Sequence, residues 1–279
     1  MIAPDPIFRP AWLDRLILSF QAFRETCASR PTPHNGHVTL LGAGPGAADL
    51  LTLRGLQRLQ NADIIFYDRL ADPALLAYAP KAQHIYVGKA PGCHAMPQDA
   101  INAALVTAGR THRVVRLKCG DPGVFGRGAE EAAALDAAGI AWDIIPGVTA
   151  ACAAAASAGS FLTERGKTDT LILATGHKRD GESPTYAQAK PGTTLALYMG
   201  VAQSGSITDA LLAAGWSACA MVEIVSKAQT PNVRILRCAL SDLAPTCTRH
   251  PNLNPAILLI RWPSVTQAAP TTRAMAHAG

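Results

Sequence analysis

A glycine-rich segment is the first place in this sequence where residue types and spacing suggest chemistry. Residues 42–47 read Gly-Ala-Gly-Pro-Gly-Ala and match a permissive form of the G-x-G-x-x-A dinucleotide fingerprint. Asp63 and Asp68 follow at a distance that suits a contact with a ribose hydroxyl. On this match alone, the sequence predicts a site for a nicotinamide dinucleotide.

The residues after the segment argue against a phosphate site. In the fingerprint, the pyrophosphate lies at the amino end of a helix that begins inside the glycine loop. Here Thr52 is the natural N-cap, and the helical spacing of leucines begins at Leu53, several residues too late. Pro45 also removes a backbone N–H donor from the loop. The loop therefore suits the close approach of an uncharged surface, and a nicotinamide oxidoreductase is kept as a rival hypothesis.

Other spacings give weaker signals. No G-x-x-x-x-G-K sequence is present, so a P-loop is excluded. His34 and His37 have no cysteine or carboxylate beside them, which favours a solvated turn over a metal site. Ser157, Ser204 and Ser206 lack the G-x-S-x-G frame of a hydrolase nucleophile. The seven cysteines include no C-x-x-C pair, so we expect no disulfide framework, no metal site and a reducing compartment.

Composition limits the classes of protein and partner. Of 279 residues, 49% are hydrophobic and 16% charged, which excludes disordered and fibrous proteins and suggests about two domains. The 25 basic and 20 acidic residues leave a net charge of +5, spread along the chain. With 5% aromatic residues, neither a basic stripe nor a stacking platform is available, so we expect no nucleic-acid partner. An anionic small substrate is permitted.

The hydropathy pattern predicts no membrane segment and a cytoplasmic location. The longest uncharged run, residues 144–163, contains Pro146 and Gly147 and many alanines, so a buried turn and a tightly packed small-residue segment explain it better than a membrane span. Charged residues before Leu16 interrupt any apolar core of a signal peptide.

Alternating strand and helix patterns organise most of the chain. Over residues 37–146, five short apolar runs separated by helical stretches predict a parallel, doubly wound α/β domain; the runs lie at 38–41, 63–67, 84–87, 114–117 and 142–145. Over residues 147–264, five further runs are broken by one strong helix at about 206–214, which predicts a mixed α+β sheet domain; these runs lie at 170–174, 193–198, 220–225, 233–236 and 256–260. Residues 265–279 are expected to form a tail.

Residues 1–36 form a separate N-terminal extension in this interpretation. Their large apolar residues recur at helical spacing and end at a Pro-Thr-Pro breaker, which predicts one amphipathic helix on a linker. The helix would dock on the body of the protein or on a partner subunit. A membrane-surface helix is the alternative, although its polar face has no basic excess.

A series of sequence blocks, taken in order, carries a resemblance. The most specific are Tyr-Asp-Arg-Leu at 67–70, Val-Gly-Lys at 87–89 and Gly-Asp-Pro-Gly-Val-Phe-Gly-Arg-Gly at 120–128, which ends a longer block that begins at Val115 and includes Arg116 and Lys118. Pro-Gly-Val-Thr-Ala at 146–150 and Tyr-Met-Gly at 198–200 continue the series. From about residue 37 to 262, the chain resembles the tetrapyrrole methylase family, in particular those members that methylate uroporphyrinogen III.

The resemblance implies a fold, a reaction and partners. The fold would be two α/β domains enclosing S-adenosylmethionine, usually in a homodimer. Two methyl groups would go from S-adenosylmethionine to C2 and C7 of uroporphyrinogen III, through precorrin-1 to precorrin-2, leaving S-adenosylhomocysteine. Precorrin-2 leads to sirohaem, cobalamin or haem d1. From the length, we expect the dehydrogenase and chelatase module that is fused to this domain in some relatives to be absent.

The resemblance also implies roles for individual residues. Asp68 would accept a proton, Lys89 would donate one, and Arg116 would help to hold or deprotonate the substrate. Because uroporphyrinogen carries eight carboxylates, basic residues in the matching blocks would bind it, namely Arg69, Lys118 and Arg127. The residues implied to line the cofactor are Pro45, Cys119, Gly120, Asp121, Val124, Thr149, Ala150, Met199 and Ala228.

Two positions depart from the family pattern. Cys119 stands where the family usually has glycine, which restricts the backbone and brings an oxidisable thiol near the cofactor. Gly123 replaces a bulkier residue, which would open the pocket slightly.

Besides the oxidoreductase, two alternative functions remain. One is a methylase of the same fold that acts on a later precorrin, on a diphthamide precursor or on ribosomal RNA, and the other is a protein that binds tetrapyrrole or cofactor without catalysis.

Overall fold

The computed structural model describes residues 36–88, 96–176 and 191–262. The predicted N-terminal helix and linker before residue 36 and the tail at 265–279 lie outside these ranges. Within the described ranges, no helix combines the length and the apolar character that a membrane crossing requires.

The first half of the chain forms a five-stranded sheet. Its strands are β1 His37–Gly42, β2 Ile64–Tyr67, β3 Gln83–Tyr86, β4 Arg113–Lys118 and β5 Trp142–Ile145. They lie in the order β3-β2-β4-β1-β5, and every pair is parallel. The predicted parallel sheet is confirmed, and the strands match the apolar runs read from the sequence to within a residue or two.

Helices cover both faces of this sheet, as a doubly wound fold requires. The helices are α1 Leu53–Gln60, α2 Gln98–Gly109 and α3 Gly128–Ala137. Helix α1 buries Leu59 against Leu41 and Ile65 on one face. Helices α2 and α3 bury Leu105 and Leu135 on the other. The Thr52 hydroxyl accepts a 3.1 Å bond from the Gly55 amide and caps α1 where the sequence predicted.

The second half forms a mixed sheet. Its strands are β6 Thr170–Thr175, β7 Thr193–Tyr198, β8 Met221–Ser226, β9 Arg234–Ala239 and β10 Ala256–Trp262. Their order is β6-β7-β10-β8-β9, in which β6 and β7 are parallel and the other pairs antiparallel. This confirms the predicted mixed sheet and completes a fold of two five-stranded sheets.

The expectation of one strong helix in this half is wrong. The helices are α4 Ala150–Ser157, α5 Ser204–Ala213 and α6 Leu243–Arg249. Helix α5 is the predicted one. Helix α4 escaped detection because its sequence, Ala-Ala-Cys-Ala-Ala-Ala-Ala-Ser, has no contrast between apolar and polar faces. Four of its alanines are buried, as expected for a tightly packed small-residue segment after a turn.

Three glycine turns hold the connections close together. A Cβ added at Gly147 would lie 2.2 Å from the Gly120 carbonyl oxygen, and one added at Gly42 would lie 2.4 Å from the Gly147 amide nitrogen. No side chain fits between these backbones. The ends of β1 and β4 and the turn after β5 therefore approach one another as bare main chain. The domain limits at residues 146 and 147 stay a prediction.

Candidate active site

A carboxylate and a guanidinium meet at the carboxyl ends of two neighbouring strands. Strands β2 and β4 are parallel, so their ends lie at the same edge of the sheet. Asp68 directly follows β2, and Arg116 lies near the end of β4. Arg116 Nη2 donates to Asp68 Oδ2 across 3.2 Å, and the Leu70 amide donates to Asp68 Oδ1 across 3.1 Å. Ligands bind at such edges in open α/β sheets.

Two further charged residues, Lys118 and Glu131, extend this pair into a buried network. Side chains alternate along a strand, so Arg116 and Lys118 lie on the same face of β4, beneath α3. Glu131 on α3 accepts from Arg116 Nε across 3.0 Å with one oxygen and from Lys118 Nζ across 2.7 Å with the other. Burial, followed by the nearby Arg116 charge, lowers the pKa of Lys118, while Glu131 and Asp68 oppose the shift. The four groups form one connected network.

The predicted substrate-binding residues occupy different environments. Arg69 is exposed beside Asp68. Arg127 is also exposed and pairs with Glu130 across 2.6 Å. The Lys118 ammonium is buried on Glu131 and does not reach the surface. Lys89, the predicted proton donor, lies outside the described residues. The substrate-binding and catalytic roles stay predictions.

The glycine loop after β1 pairs with the turn after β4. Gly44 and Gly120 exchange two backbone hydrogen bonds, of 3.2 Å and 2.9 Å, in an isolated bridge. The Gly44 N–H is thus engaged, and α1 begins at Leu53, beyond the loop. Both facts agree with the expectation that the loop does not cradle a phosphate. The bridge places Pro45 next to the turn formed by residues 119–121.

Asp121 joins this turn to the segment after β5. Its Oδ1 accepts a 2.8 Å bond from the Gly123 amide, and its Oδ2 accepts a 3.0 Å bond from the Gly147 amide. The carboxylate therefore fixes its own turn and the start of the segment that carries Thr149 and Ala150. This structural tie is additional to the cofactor-lining role that the resemblance implied for Asp121.

Tyr198, at the end of β7, connects the same segment to the second sheet. Its hydroxyl lies 2.6 Å from Thr149 Oγ1 and accepts a 3.2 Å bond from the Ala151 amide. The Phe125 ring, 41% exposed, packs against the Tyr198 ring with centroids 4.9 Å apart. Burial raises the pKa of Tyr198, so the hydroxyl is protonated at neutral pH.

The remaining predicted cofactor residues lie around Tyr198. Val124, Ala150 and Ala228 pack against the buried cluster that contains this ring. Met199 follows it directly, half exposed, with a left-handed backbone at φ 55°. A Cβ added at Gly46 would lie 2.4 Å from the Ala228 carbonyl oxygen, so the glycine loop reaches this region as well. The structure thus brings all nine predicted cofactor residues to one region, while their contacts with a cofactor stay a prediction.

Cys119 is less reactive than its place in the loop suggested. Burial, aided by the Asp68 charge, raises the pKa of its thiol to about 11. Oxidation proceeds through the thiolate, which is scarce at neutral pH for such a thiol. The structure therefore gives no support to the expectation of a readily oxidised thiol at this position.

Sequence reasoning missed two residues of this region. Glu131 was overlooked because it follows Glu130 in an alanine-rich helix, where two adjacent acids resemble a solvated surface. The two basic residues at alternate positions of β4 were a usable signal, because buried cations require an acidic partner. Tyr198 belonged to a recognised block but received no role.

Among the described residues, no group of three or more potential ligands could hold a metal ion.

Fold and site together define a two-sheet α/β protein whose glycine turns and ionisable side chains meet at the carboxyl ends of parallel strands. A family model described as tetrapyrrole (corrin/porphyrin) methylases matches residues 37–244. The chain belongs to the tetrapyrrole methylase family, which confirms the resemblance read from the sequence.

Curated relatives are more than two fifths identical to this chain over the residues that align. A siroheme synthase of Gluconacetobacter diazotrophicus is 44% identical over 230 residues, which cover 81% of this chain and 49% of the relative. A siroheme synthase of Zymomonas mobilis is also 44% identical, covering 83% and 50%. This chain therefore spans about half the length of the curated relatives that it matches.

Solved structures share the fold. Uroporphyrin-III C-methyltransferase of Thermus thermophilus, in complex with S-adenosylhomocysteine, has a TM-score of 0.69 and 34% identity, covering 81% of this chain and 92% of that one. A cobalt precorrin-4 methyltransferase has a TM-score of 0.71 and 30% identity, covering 81% and 95%. The fold is thus common to methyltransferases that are named for different tetrapyrroles.

Proposed function

We propose that this protein is an S-adenosylmethionine-dependent C-methyltransferase that converts uroporphyrinogen III to precorrin-2 by way of precorrin-1. The observation that carries the proposal is the Asp68 and Arg116 pair at the strand edge, beside the region where the nine predicted cofactor residues meet. The siroheme synthase relatives and the uroporphyrin-III C-methyltransferase structure support the choice of reaction and substrate.

The residues present fit S-adenosylmethionine. A Cβ at Gly42 or Gly147 would collide with main chain, so the turns that carry Gly120 and Thr149 are held close together. Thr149 and Asp121 place polar groups on these turns. When bound, S-adenosylmethionine supplies a methyl group that its sulfonium already activates. The protein then needs to hold that methyl in line with a pyrrole carbon and to remove a proton from the methylated ring.

The charged groups at the strand edge suit that second task. As a new carbon–carbon bond forms, the bond from sulfur to the methyl breaks, and the substituted ring must lose a proton. Asp68 would accept it, with Arg116 holding the carboxylate in place. Arg69 and Arg127, both exposed near this edge, would pair with substrate carboxylates. Lys89 would return a proton elsewhere on the macrocycle.

A second candidate is methylation of a later precorrin. The cobalt precorrin-4 methyltransferase matches the fold as well as the uroporphyrin-III enzyme does. The siroheme synthase relatives, at 44% identity, favour uroporphyrinogen III. Both reactions use the same donor, so the substrate itself separates the two candidates.

A substrate panel tests the proposal. The purified chain is incubated with S-adenosylmethionine and either uroporphyrinogen III or a later precorrin, and products are resolved by mass spectrometry. Dimethylated uroporphyrinogen III supports the proposal, and turnover of the later precorrin alone selects the second candidate. Tight binding of S-adenosylhomocysteine with no turnover selects a non-catalytic binding protein. The predicted homodimer and cytoplasmic location are separate proposals, and sedimentation of the full chain tests the first.

A further inference from the structure

Glu131 is an ionisable side chain that the proposed reaction does not use. It is fully buried, with an exposed fraction of 0%. Arg116 Nε and Lys118 Nζ each donate to a different carboxylate oxygen, and Gln98 Nε2 lies 3.4 Å from the oxygen that faces Arg116. One carboxylate thus receives donors from β4 and from α2.

A buried charge of this kind needs an explanation beyond stability. Removing a carboxylate and two cations from water is costly, and apolar residues in their place often stabilise a protein equally well or better. Such clusters are best explained where they fix a particular geometry. Here the geometry includes Asp68, because Arg116 is shared between the two carboxylates.

The Arg116 guanidinium is held at three of its nitrogens. Nε donates to Glu131 across 3.0 Å, Nη1 donates to the Leu117 carbonyl across 3.0 Å, and Nη2 donates to Asp68 across 3.2 Å. A planar fork fixed at Nε and Nη1 has one orientation for Nη2. Glu131 therefore fixes the position of Arg116 Nη2, the atom that donates to the Asp68 carboxylate.

Lys118, the other partner of Glu131, contacts the loop that follows β4. A Cβ added at Gly126 would lie 3.3 Å from Lys118 Cε, so the loop rests on the lysine stem. That loop carries Asp121 and Val124. Through its two oxygens, Glu131 thus connects the residue predicted to accept a proton with the loop predicted to hold the cofactor.

We propose that Glu131 is a positioning residue that orients Asp68 through Arg116 and supports the loop over residues 121–128 through Lys118. The inference rests on the proposed function and assigns to its site a member that does not touch the substrate.

Glu131→Gln tests the inference, because it keeps the shape and removes the charge. We expect kcat to fall roughly 100-fold, as a small displacement of a reacting group can do, while the affinity for S-adenosylhomocysteine changes only a few-fold. A fall in kcat with the cofactor affinity retained is what misorientation of Asp68 predicts. Wild-type kcat in Glu131→Gln would overturn the inference.

Glu223→Gln is the matched control. Glu223 lies on β8, is also buried, and pairs with Arg237 and Arg261 far from Asp68. The Glu223→Gln variant should have a lower melting temperature and an unchanged kcat. If both variants lower kcat equally, the effect is one of stability and the positioning role is wrong.

A charge-balanced variant covers the case in which Glu131→Gln does not fold. Glu131→Leu combined with Lys118→Met removes one anion and one cation together, which buried ion pairs tolerate. Its kcat should fall at least about tenfold below that of Lys118→Met alone. Equal values for the two variants would overturn the inference.

A substrate-free readout separates this inference from the proposed function. NMR at pH 7 follows the carboxyl carbon of Asp68 with no porphyrinogen present, and its chemical shift reports the surroundings of the carboxylate. A chemical shift that changes in Glu131→Gln but not in Glu223→Gln supports the positioning role even if uroporphyrinogen III is not the substrate. An unchanged chemical shift in Glu131→Gln overturns that role even if the wild-type protein methylates uroporphyrinogen III.

Discussion

The Arg116 guanidinium donates to the Asp68 carboxylate across 3.2 Å, from β4 to the residue that follows β2. A second aspartate–arginine pair, Asp63 with Arg113 across 2.7 Å, lies at the opposite ends of the same two strands. The two pairs have the same chemistry and differ in which edge of the sheet they occupy. They therefore provide a test of whether the carboxyl edge is the reactive one.

We expect Asp68→Asn to lower kcat by about 100-fold or more, as loss of a proton acceptor does. Arg116→Ala should also lower kcat. Cofactor affinity, measured by calorimetry with S-adenosylhomocysteine, should stay within a few-fold in both. Asp63→Asn is the control and should retain wild-type kcat. Full activity of Asp68→Asn would show that another group takes the proton.

Tyr198→Phe should weaken the binding of S-adenosylhomocysteine. The change removes a hydroxyl that bonds to Thr149 and accepts from the Ala151 amide. A lost hydrogen bond costs about 1 kcal/mol, which corresponds to roughly fivefold in the dissociation constant. Calorimetry measures it, with the exposed Tyr78→Phe as control. An unchanged affinity for S-adenosylhomocysteine would show that the segment after β5 does not contribute to cofactor binding.

Cys119 should resist alkylation. With its pKa raised to about 11, the thiolate fraction at pH 8 is about one in a thousand. Cys152 is exposed on α4. Brief treatment with iodoacetamide followed by peptide mass spectrometry should therefore modify Cys152 well before Cys119. Equal rates would mean that Cys119 is more open to solvent than the structure has it.

Asp143→Asn should lower stability at neutral pH and have no effect in strong acid. Burial raises the pKa of Asp143, but bonds from His37 and Thr39 and the Arg58 charge outweigh it and lower the pKa to about 2 from an ordinary 3.8. A lowered pKa contributes stability above the ordinary value, and that contribution disappears as pH falls through the lower one. Since the side chain is 33% exposed, we expect about 1–2 kcal/mol at pH 7.

Urea unfolding at pH 7 and at pH 2 measures this difference. The exposed Asp49→Asn should leave the unfolding free energy unchanged at both values. A deficit for Asp143→Asn that persisted undiminished at pH 2 would contradict the assignment.

Local patterns were sufficient to predict most of the fold. Strand β7 is the apolar run at 193–198, and α1 begins where Thr52 predicted. The order of the strands could not be predicted, because β4 lies between β2 and β1 and pairs with residues that are distant in sequence. Helix α4 was missed because alanines give no amphipathic contrast.

The residues of the site were also predicted only in part. Asp68 and Arg116 were found through recognised blocks, and the structure places them in contact. The partners that hold them were not found, because Glu131 meets Arg116 only when α3 packs on β4. The burial of Lys118 on Glu131 was also missed, although its alternation with Arg116 along β4 was a usable signal.

Transfer of labelled methyl groups tests the central claim most directly. The full chain is incubated anaerobically with enzymatically prepared uroporphyrinogen III and S-adenosylmethionine that carries a trideuteromethyl group. We expect a product with two trideuteromethyl groups, which NMR places at C2 and C7, and two equivalents of S-adenosylhomocysteine. A uroporphyrinogen III pool that gains no label, while S-adenosylhomocysteine binds normally, would contradict the proposed function.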